Sequence, residues 1–204
     1  YISLYYGLVK EVDDWVGRIL GALDKAGLAG DTLVVFLSDH GEMLGEHSRV
    51  SKMVFYEASV RVPLLMRLPG RIPKGRTVQV PATGADVAPT ILDYCGLGRA
   101  PEMHGRSLRA AIENGRPPFE YAYTELHPPD GRPEEQRILR SREWKFAFLS
   151  GRPYLYNLSE DQDETRNLLE PRHRRERWVS QARMLQKAML ARLEEMRGPE
   201  VDRI

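Results

Sequence analysis

Along residues 4–23 the apolar positions Leu4, Leu8, Val12, Trp15, Val16, Ile19, Leu20 and Leu23 recur every three or four residues, with Lys10, Glu11, Asp13, Asp14 and Arg18 between them. That spacing predicts an amphipathic α-helix, and Gly27 is a natural stop just past its end. After a short connection at 28–31, the strand formers Leu33, Val34, Val35, Phe36 and Leu37 run without a polar break and stop at Ser38, Asp39, His40 and Gly41. A short run that is apolar at every position predicts a strand covered on both faces, as in a parallel sheet flanked by helices. Helix, loop and strand are then half of a β-α-β crossover whose other half would precede residue 1. The sequence is accordingly expected to be part of a longer chain.

Residues 60–66 predict a second strand, pushed toward an edge by Pro63. Two prolines and a glycine in 68–74 predict a turn, and Val78 and Val80 a short strand cut off at Pro81. Residues 86–94 predict a helix with Pro89 tolerated in its first turn and Gly96 and Gly98 beyond its end, and residues 107–112 predict a further short helix. Asn114, Gly115, Arg116, Pro117 and Pro118 mark a boundary. Past it the pattern changes to short strands at 121–126, 137–140, 144–149 and 154–156, spaced as an antiparallel meander. Trp178, Ala182, Leu185, Met189, Leu193 and Met196 then predict a long closing helix that covers the small sheet. The expected division is 1–118 and 119–204.

Composition changes this picture little. The 204 residues are 42% hydrophobic and 29% charged, and 30 basic against 29 acidic residues leave a net charge of +1. So even a balance provides no global field to recruit nucleic acid or an anionic membrane. No apolar run approaches the roughly 18 residues of a membrane span. The single cysteine, Cys95, excludes an internal disulfide and a Cys-rich zinc site, and is expected to be a small buried side chain. The compartment is left open, because the chain does not begin with Met.

The strongest chemical signal lies at the end of the first strand, where open α/β sheets place their ligands. Asp39 offers hard carboxylate oxygens and His40 an imidazole nitrogen, a pair suited to a metal ion. Gly41 would let the backbone leave the extended form so that both face one ion. The bland alternative is a helix-capping Asp beside a surface His. Thirteen residues beyond Asp39, on a loop with Gly45, Glu46 and His47, stands Lys52, a cation that could meet a bound anion. His47 is a further candidate for the pocket border. His104 is expected to be structural. Glu125 and His127, ahead of the PPDGRPEE loop, are candidates for a cleft between the two parts. The basic run from Arg172 to Arg177 reads as a solvated helix start, and Trp144, Lys145 and Phe146 read as strand core.

The string SDHGEMLGEH, followed by Lys52 and by FYEASVRVPLLMRLPG, resembles the type I sulfatases of the alkaline-phosphatase-like superfamily. VDDWVGRILGALDKAG, DVAPTILDYCGL, HGRSL, RSREWKF and LYNLSEDQDETRNL extend the likeness in order over nearly the whole chain. The resemblance implies an α/β fold: part of an alkaline-phosphatase-like sheet flanked by helices, with a small antiparallel C-terminal sheet and a long helix. Residues 1–118 would be the later part of the catalytic α/β domain and 119–204 the C-terminal α+β subdomain. It further implies hydrolysis of a small-molecule or sugar sulfate ester, with one divalent cation, calcium first and manganese or zinc as alternatives. The nucleophile would be a formylglycine made from the Cys or Ser of a CxPxR or SxPxR motif. By the same resemblance, Asp39 and His40 match the later pair of metal ligands and Lys52 the lysine that contacts the sulfate. Neither nucleophile motif occurs here: Cys95 is followed by Gly96, Leu97, Gly98 and Arg99, with no proline. The family's N-terminal acidic ligands are also absent. The expectation is therefore a C-terminal sulfatase portion, inactive alone, whose partner is the N-terminal part of the same enzyme. A phosphonate or phosphodiester hydrolase of the superfamily and a non-catalytic module are the rival readings.

Overall fold

The computed structural model describes residues 1–116, 119–127 and 136–197. Helix α1 (Ile2–Lys25) forms where the periodicity predicts it and ends at Gly27, whose φ of 71° is left-handed and lets the Leu28 N–H return to the Leu23 carbonyl at 3.1 Å. Its apolar stripe stays largely open among the described residues. No residue of α1 is buried, and Leu8, Trp15 and Ile19 are each more than half exposed.

Strand β1 (Val34–Leu37) is where expected, but its direction of pairing is not. Its partner is β2 (Leu64–Arg67), antiparallel, with Val34 opposite Arg67 and Leu37 opposite Leu64. An all-apolar run reports that a strand is to be covered and says nothing of which way its neighbour runs. Here the connection is a loop and one turn of helix, α2 (Glu57–Val60), which reverses the chain instead of carrying it across a sheet. Phe36 and Leu37 are about two-fifths exposed in this chain, so the expected cover on both faces is not provided by the described residues. The strand expected over 60–66 starts only at Leu64, and Val60 instead packs under the C-terminal sheet. No regular element forms at Val78 and Val80.

A single turn of 3₁₀ helix (Gly84–Asp86) leads into α3 (Val87–Tyr94), with Pro89 in its first turn. Buried Asp86 joins this turn to the next segment: its carboxylate accepts the Thr83 N–H at 2.8 Å and the Arg106 N–H at 2.9 Å. Thr90 does the same, donating to the Asp86 carbonyl and accepting the Leu108 N–H. Gly105 is required by this approach, since a Cβ there would lie 1.9 Å from the Ala85 carbonyl oxygen. Helix α4 (Arg109–Asn114) follows. Cys95 is exposed at the C-terminal cap of α3, which corrects the expected buried cysteine: it falls where the helix ends at the surface rather than on its inner face.

Strands β3 (Ala122–Leu126), β4 (Gln136–Arg140), β5 (Trp144–Leu149) and β6 (Arg152–Asn157) form the antiparallel meander in sequence order. Alternation along the strands divides their side chains between two cores. Leu139, Phe146 and Leu155 meet Ala182, Leu185 and Met189 of helix α5 (Glu176–Arg197) on one face. Ile138, Ala147 and Tyr156 form the other core with Phe55, and Tyr56 and Val60 lean on it. The second face of this sheet is thus covered by the chain that connects β1 to β2.

Lys145, on that same face, is wholly buried, with its ammonium 3.1 Å from a Glu57 carboxylate oxygen and 2.7 Å from one of Glu164. Arg140 reaches Glu57 at 3.3 Å, and the other Glu164 oxygen accepts the Glu57 N–H at 2.6 Å. Burial pushes both carboxyls up; Lys145 and Arg140 outweigh it at Glu57, which is held below the usual range, while burial wins at Glu164, which stays above it.

Candidate active site

The chain leaves β1 at Ser38, whose hydroxyl donates to the His40 carbonyl at 2.8 Å. The Gly41 N–H then bonds the Ser59 carbonyl at 2.7 Å, seating the strand end against α2. A Cβ at Gly41 would lie 2.0 Å from the Ala58 carbonyl oxygen. The need for glycine here is therefore this close approach; Gly41 is not among the residues of positive φ, so conformational freedom is not what the position uses. Met43, fully buried, bonds Ser51 backbone to backbone at 2.9 Å. The Glu42 carboxylate accepts the N–H groups of Ser51 and, at 3.4 Å, Leu44. These bonds fold the loop back so that Lys52 returns over the strand end.

The structure brings Asp39, His40 and Lys52 together. The Lys52 ammonium donates to His40 Nε2 at 2.5 Å, and Asp39 Oδ2 lies 3.4 Å from the same nitrogen. His40 Nδ1 is 2.9 Å from the Gly41 carbonyl, which can only accept, so Nδ1 carries the proton and Nε2 presents its lone pair. The His40 N–H bonded to Asp39 holds that carboxyl below the usual range; slight desolvation opposes this, and the Lys52 charge adds to it. Asp39 thus faces the cluster as a carboxylate.

A metal-binding imidazole is usually oriented by its other ring nitrogen donating to a carbonyl, which is the arrangement at His40. Carboxylate oxygen and imidazole nitrogen converge, so the pair fits part of a divalent cation's shell. It is not a complete shell: among the described residues no group of three or more His, Cys, Asp or Glu side chains could hold a metal. Lys52 holds the Nε2 lone pair in this structure, so a metal on that nitrogen requires the ammonium to move off.

His47 does not join this cluster through any contact described; its ring stacks on Tyr56, with centroids 3.7 Å apart and planes 12° apart. Tyr56 in turn touches Phe55 of the sheet core. His104 offers its backbone carbonyl to Arg192 beside Arg106 and Glu195. Glu125 and His127 lie 3.5 Å apart at the end of β3, and the loop at 128–135 that would adjoin them lies outside the described residues. Arg172 pairs with Glu170, and Arg177 sits over Trp178 at the start of α5. Glu42 and Gln136, which hold the Lys52 loop, were not among the expected residues. A glutamate inside a glycine-rich loop is a faint signal for the first; nothing local marks the second.

A family description, Sulfatase, matches residues 1–97. Arylsulfatase K of Mus musculus is 37% identical over 182 residues, an alignment covering 81% of this chain and 32% of that protein. The chain belongs to the sulfatase family. This sulfatase chain spans about a third of the length of the curated relatives it matches. Two solved structures share its fold. One is a complex with D-glucosamine-2-N,6-O-disulfate, described as that protein's substrate, at 25% identity and TM-score 0.81, covering 96% of this chain and 40% of the other. The second is the phosphonate monoester hydrolase of Agrobacterium radiobacter, at 30% identity and TM-score 0.81, covering 94% and 41%. The fold of this sulfatase chain is accordingly alkaline-phosphatase-like α/β with an antiparallel four-stranded sheet and a long C-terminal helix. Family membership implies a divalent metal and a formylglycine, while the 204 residues contain neither nucleophile motif.

Proposed function

We propose that the chain supplies the metal-and-cation half of a sulfate-monoester hydrolase, with the nucleophile contributed from outside these residues. The convergence of Asp39 Oδ2, His40 Nε2 and Lys52 Nζ is the observation that carries this reading. Asp39 and His40 would hold one divalent cation, calcium by preference and manganese or zinc as alternatives. When bound, that ion supplies Lewis-acid polarisation of an ester oxygen. Lys52, released from His40, would bring its positive charge to the sulfate oxygens, an electrostatic contribution of the kind that dominates such reactions. His47, stacked on Tyr56, would border the pocket. The proposed organisation is 1–118 as the later part of the catalytic domain and 119–204 as a C-terminal subdomain. The substrate proposed is a sugar or small-molecule sulfate ester, a choice supported by the glucosamine-disulfate complex of the structural neighbour.

The test is turnover of an aryl sulfate. The intact enzyme is expected to require a divalent cation and to lose about 10²-fold or more in kcat with Lys52→Ala, the usual effect of removing one charge-stabilising donor. The chain alone is expected to be inactive, and metal-dependent turnover by it would overturn the division of labour. A phosphonate or phosphodiester hydrolase is the second reading, favoured by the 30% identity to the Agrobacterium enzyme. Side-by-side rates on aryl sulfate and phosphonate monoester separate the two.

A further inference from the structure

Lys52 stands between two non-glycine residues in left-handed backbone, Ser51 at φ 70° and Met53 at φ 74°. Side chains with a Cβ adopt that conformation only where the surroundings hold it. On the Ser51 side the hold is local, from Glu42 and Met43 of the same loop. On the Met53 side it comes from elsewhere in the chain. The side-chain amide of Gln136, at the start of β4 and 8% exposed, donates to the Met53 carbonyl at 3.0 Å. Two residues on, Phe55 is buried in the core beneath β4, β5 and β6, and Glu57 is clamped by Lys145 and Arg140.

We propose that Gln136 is a positioning residue for Lys52, and that the four-stranded sheet sets the direction of that lysine through residues 53–57. Gln136 touches neither Lys52 nor His40 in any contact described; it acts through the Met53 carbonyl. Removing its donor leaves Met53 free to relax out of the left-handed region, and the peptide carrying Lys52 turns with it. The proposal rests on Lys52 being the sulfate contact.

The experiment is a double-mutant cycle in the intact enzyme with an aryl sulfate, using Gln136→Met, which keeps the length of the side chain and removes the donor, together with Lys52→Ala. Gln136→Met is expected to lower kcat/KM about fivefold, the effect of one neutral hydrogen bond, and to have no further effect once Lys52 is alanine. Gln136→Leu, also apolar and without the amide donor, is expected to behave alike and serves if the methionine variant does not fold. In the same protein freed of divalent cation, where Lys52 occupies Nε2, the ¹⁵N signal of His40 Nε2 is expected to move when Gln136 is replaced, because the Lys52 donor withdraws. An equal loss in the Lys52→Ala background, or an unmoved His40 signal, would overturn the positioning role. Full sulfate turnover by Lys52→Ala would instead remove the reading of Lys52 itself, a result distinguishable because, in the protein that keeps Lys52, the His40 signal still reports on Gln136.

Discussion

Replacing Lys145 by methionine preserves the reach of the side chain and removes the one charge lying between Glu57 and Glu164. Lys145 is fully buried, and Glu164 nearly so. Deleting one partner of a buried ion pair costs about 3–5 kcal/mol, because the survivor is left charged and unpaired. Arg140 remains on Glu57 at 3.3 Å, so the unpaired group is Glu164, and the expected loss at pH 8 is about 3 kcal/mol. The deficit depends on pH, and its sign follows from Glu164. Burial already holds this carboxyl above its ordinary value, and loss of the Lys145 charge raises it further. A carboxyl raised in the folded state contributes stability below its unfolded pKa, about 4.3, and loses that contribution as pH rises through the folded value. Glu57 behaves oppositely in the parent: held low, it contributes stability above the unfolded pKa and loses it as pH falls through the folded value. The two stability curves should therefore converge on acidification. Urea unfolding followed by tryptophan fluorescence at pH 8 and pH 5 measures this. A deficit under about 1 kcal/mol, or one of equal size at both pH values, would refute the assignment of an unpaired Glu164.

Three further outcomes are expected. Gly41→Ala places a Cβ against the Ala58 carbonyl and should displace the strand end from α2. Turnover of the intact enzyme should then fall more than tenfold, since a misplacement of about 1 Å can cost on the order of 10²-fold; Gly30→Ala, with open space around its Cβ and no left-handed φ, serves as the control. Lys52→Met should tighten manganese binding in calorimetric titration by about thirtyfold, since a unit charge about 4 Å from a divalent ion in water is repelled by ~2 kcal/mol; unchanged affinity would mean that the ammonium does not compete for Nε2. Leu185→Ala removes a fully buried contact between α5 and the sheet and should cost about 2–5 kcal/mol in denaturant unfolding.

The elements with the strongest periodicity were legible in the sequence. Helices α1 and α5 and the meander from β3 to β6 follow from spacing alone, because their inward residues recur at helical or alternate positions. Pairing direction was not legible, as β1 shows, since an apolar run carries no information about its neighbour. The stretch around Val60 was misread as strand because its apolar residues serve the second core beneath Tyr156 and Ala147, a long-range contact. At the site, Asp39, His40 and Lys52 could be named from chemistry and resemblance, and their side chains do meet. The partners that hold them could not. Gln136 meets Met53 across 83 residues of chain, and Lys145 meets Glu57 across 88. A lysine inside the apolar run of β5 does hint at a buried counter-charge, but not at which one.

Those separations also order events during synthesis. The Lys52 loop leaves the ribosome well before β4, β5 and Glu164, and contacts of such high sequence separation form late because long loops must close first. Until the sheet is complete, Phe55 has no core to enter and Met53 no donor. A chain interrupted before β4 would thus carry every residue of the Asp39, His40 and Lys52 cluster and still lack the means to aim the lysine. On the proposed role of Gln136, the aim of Lys52 would be conditional on the synthesis of β4.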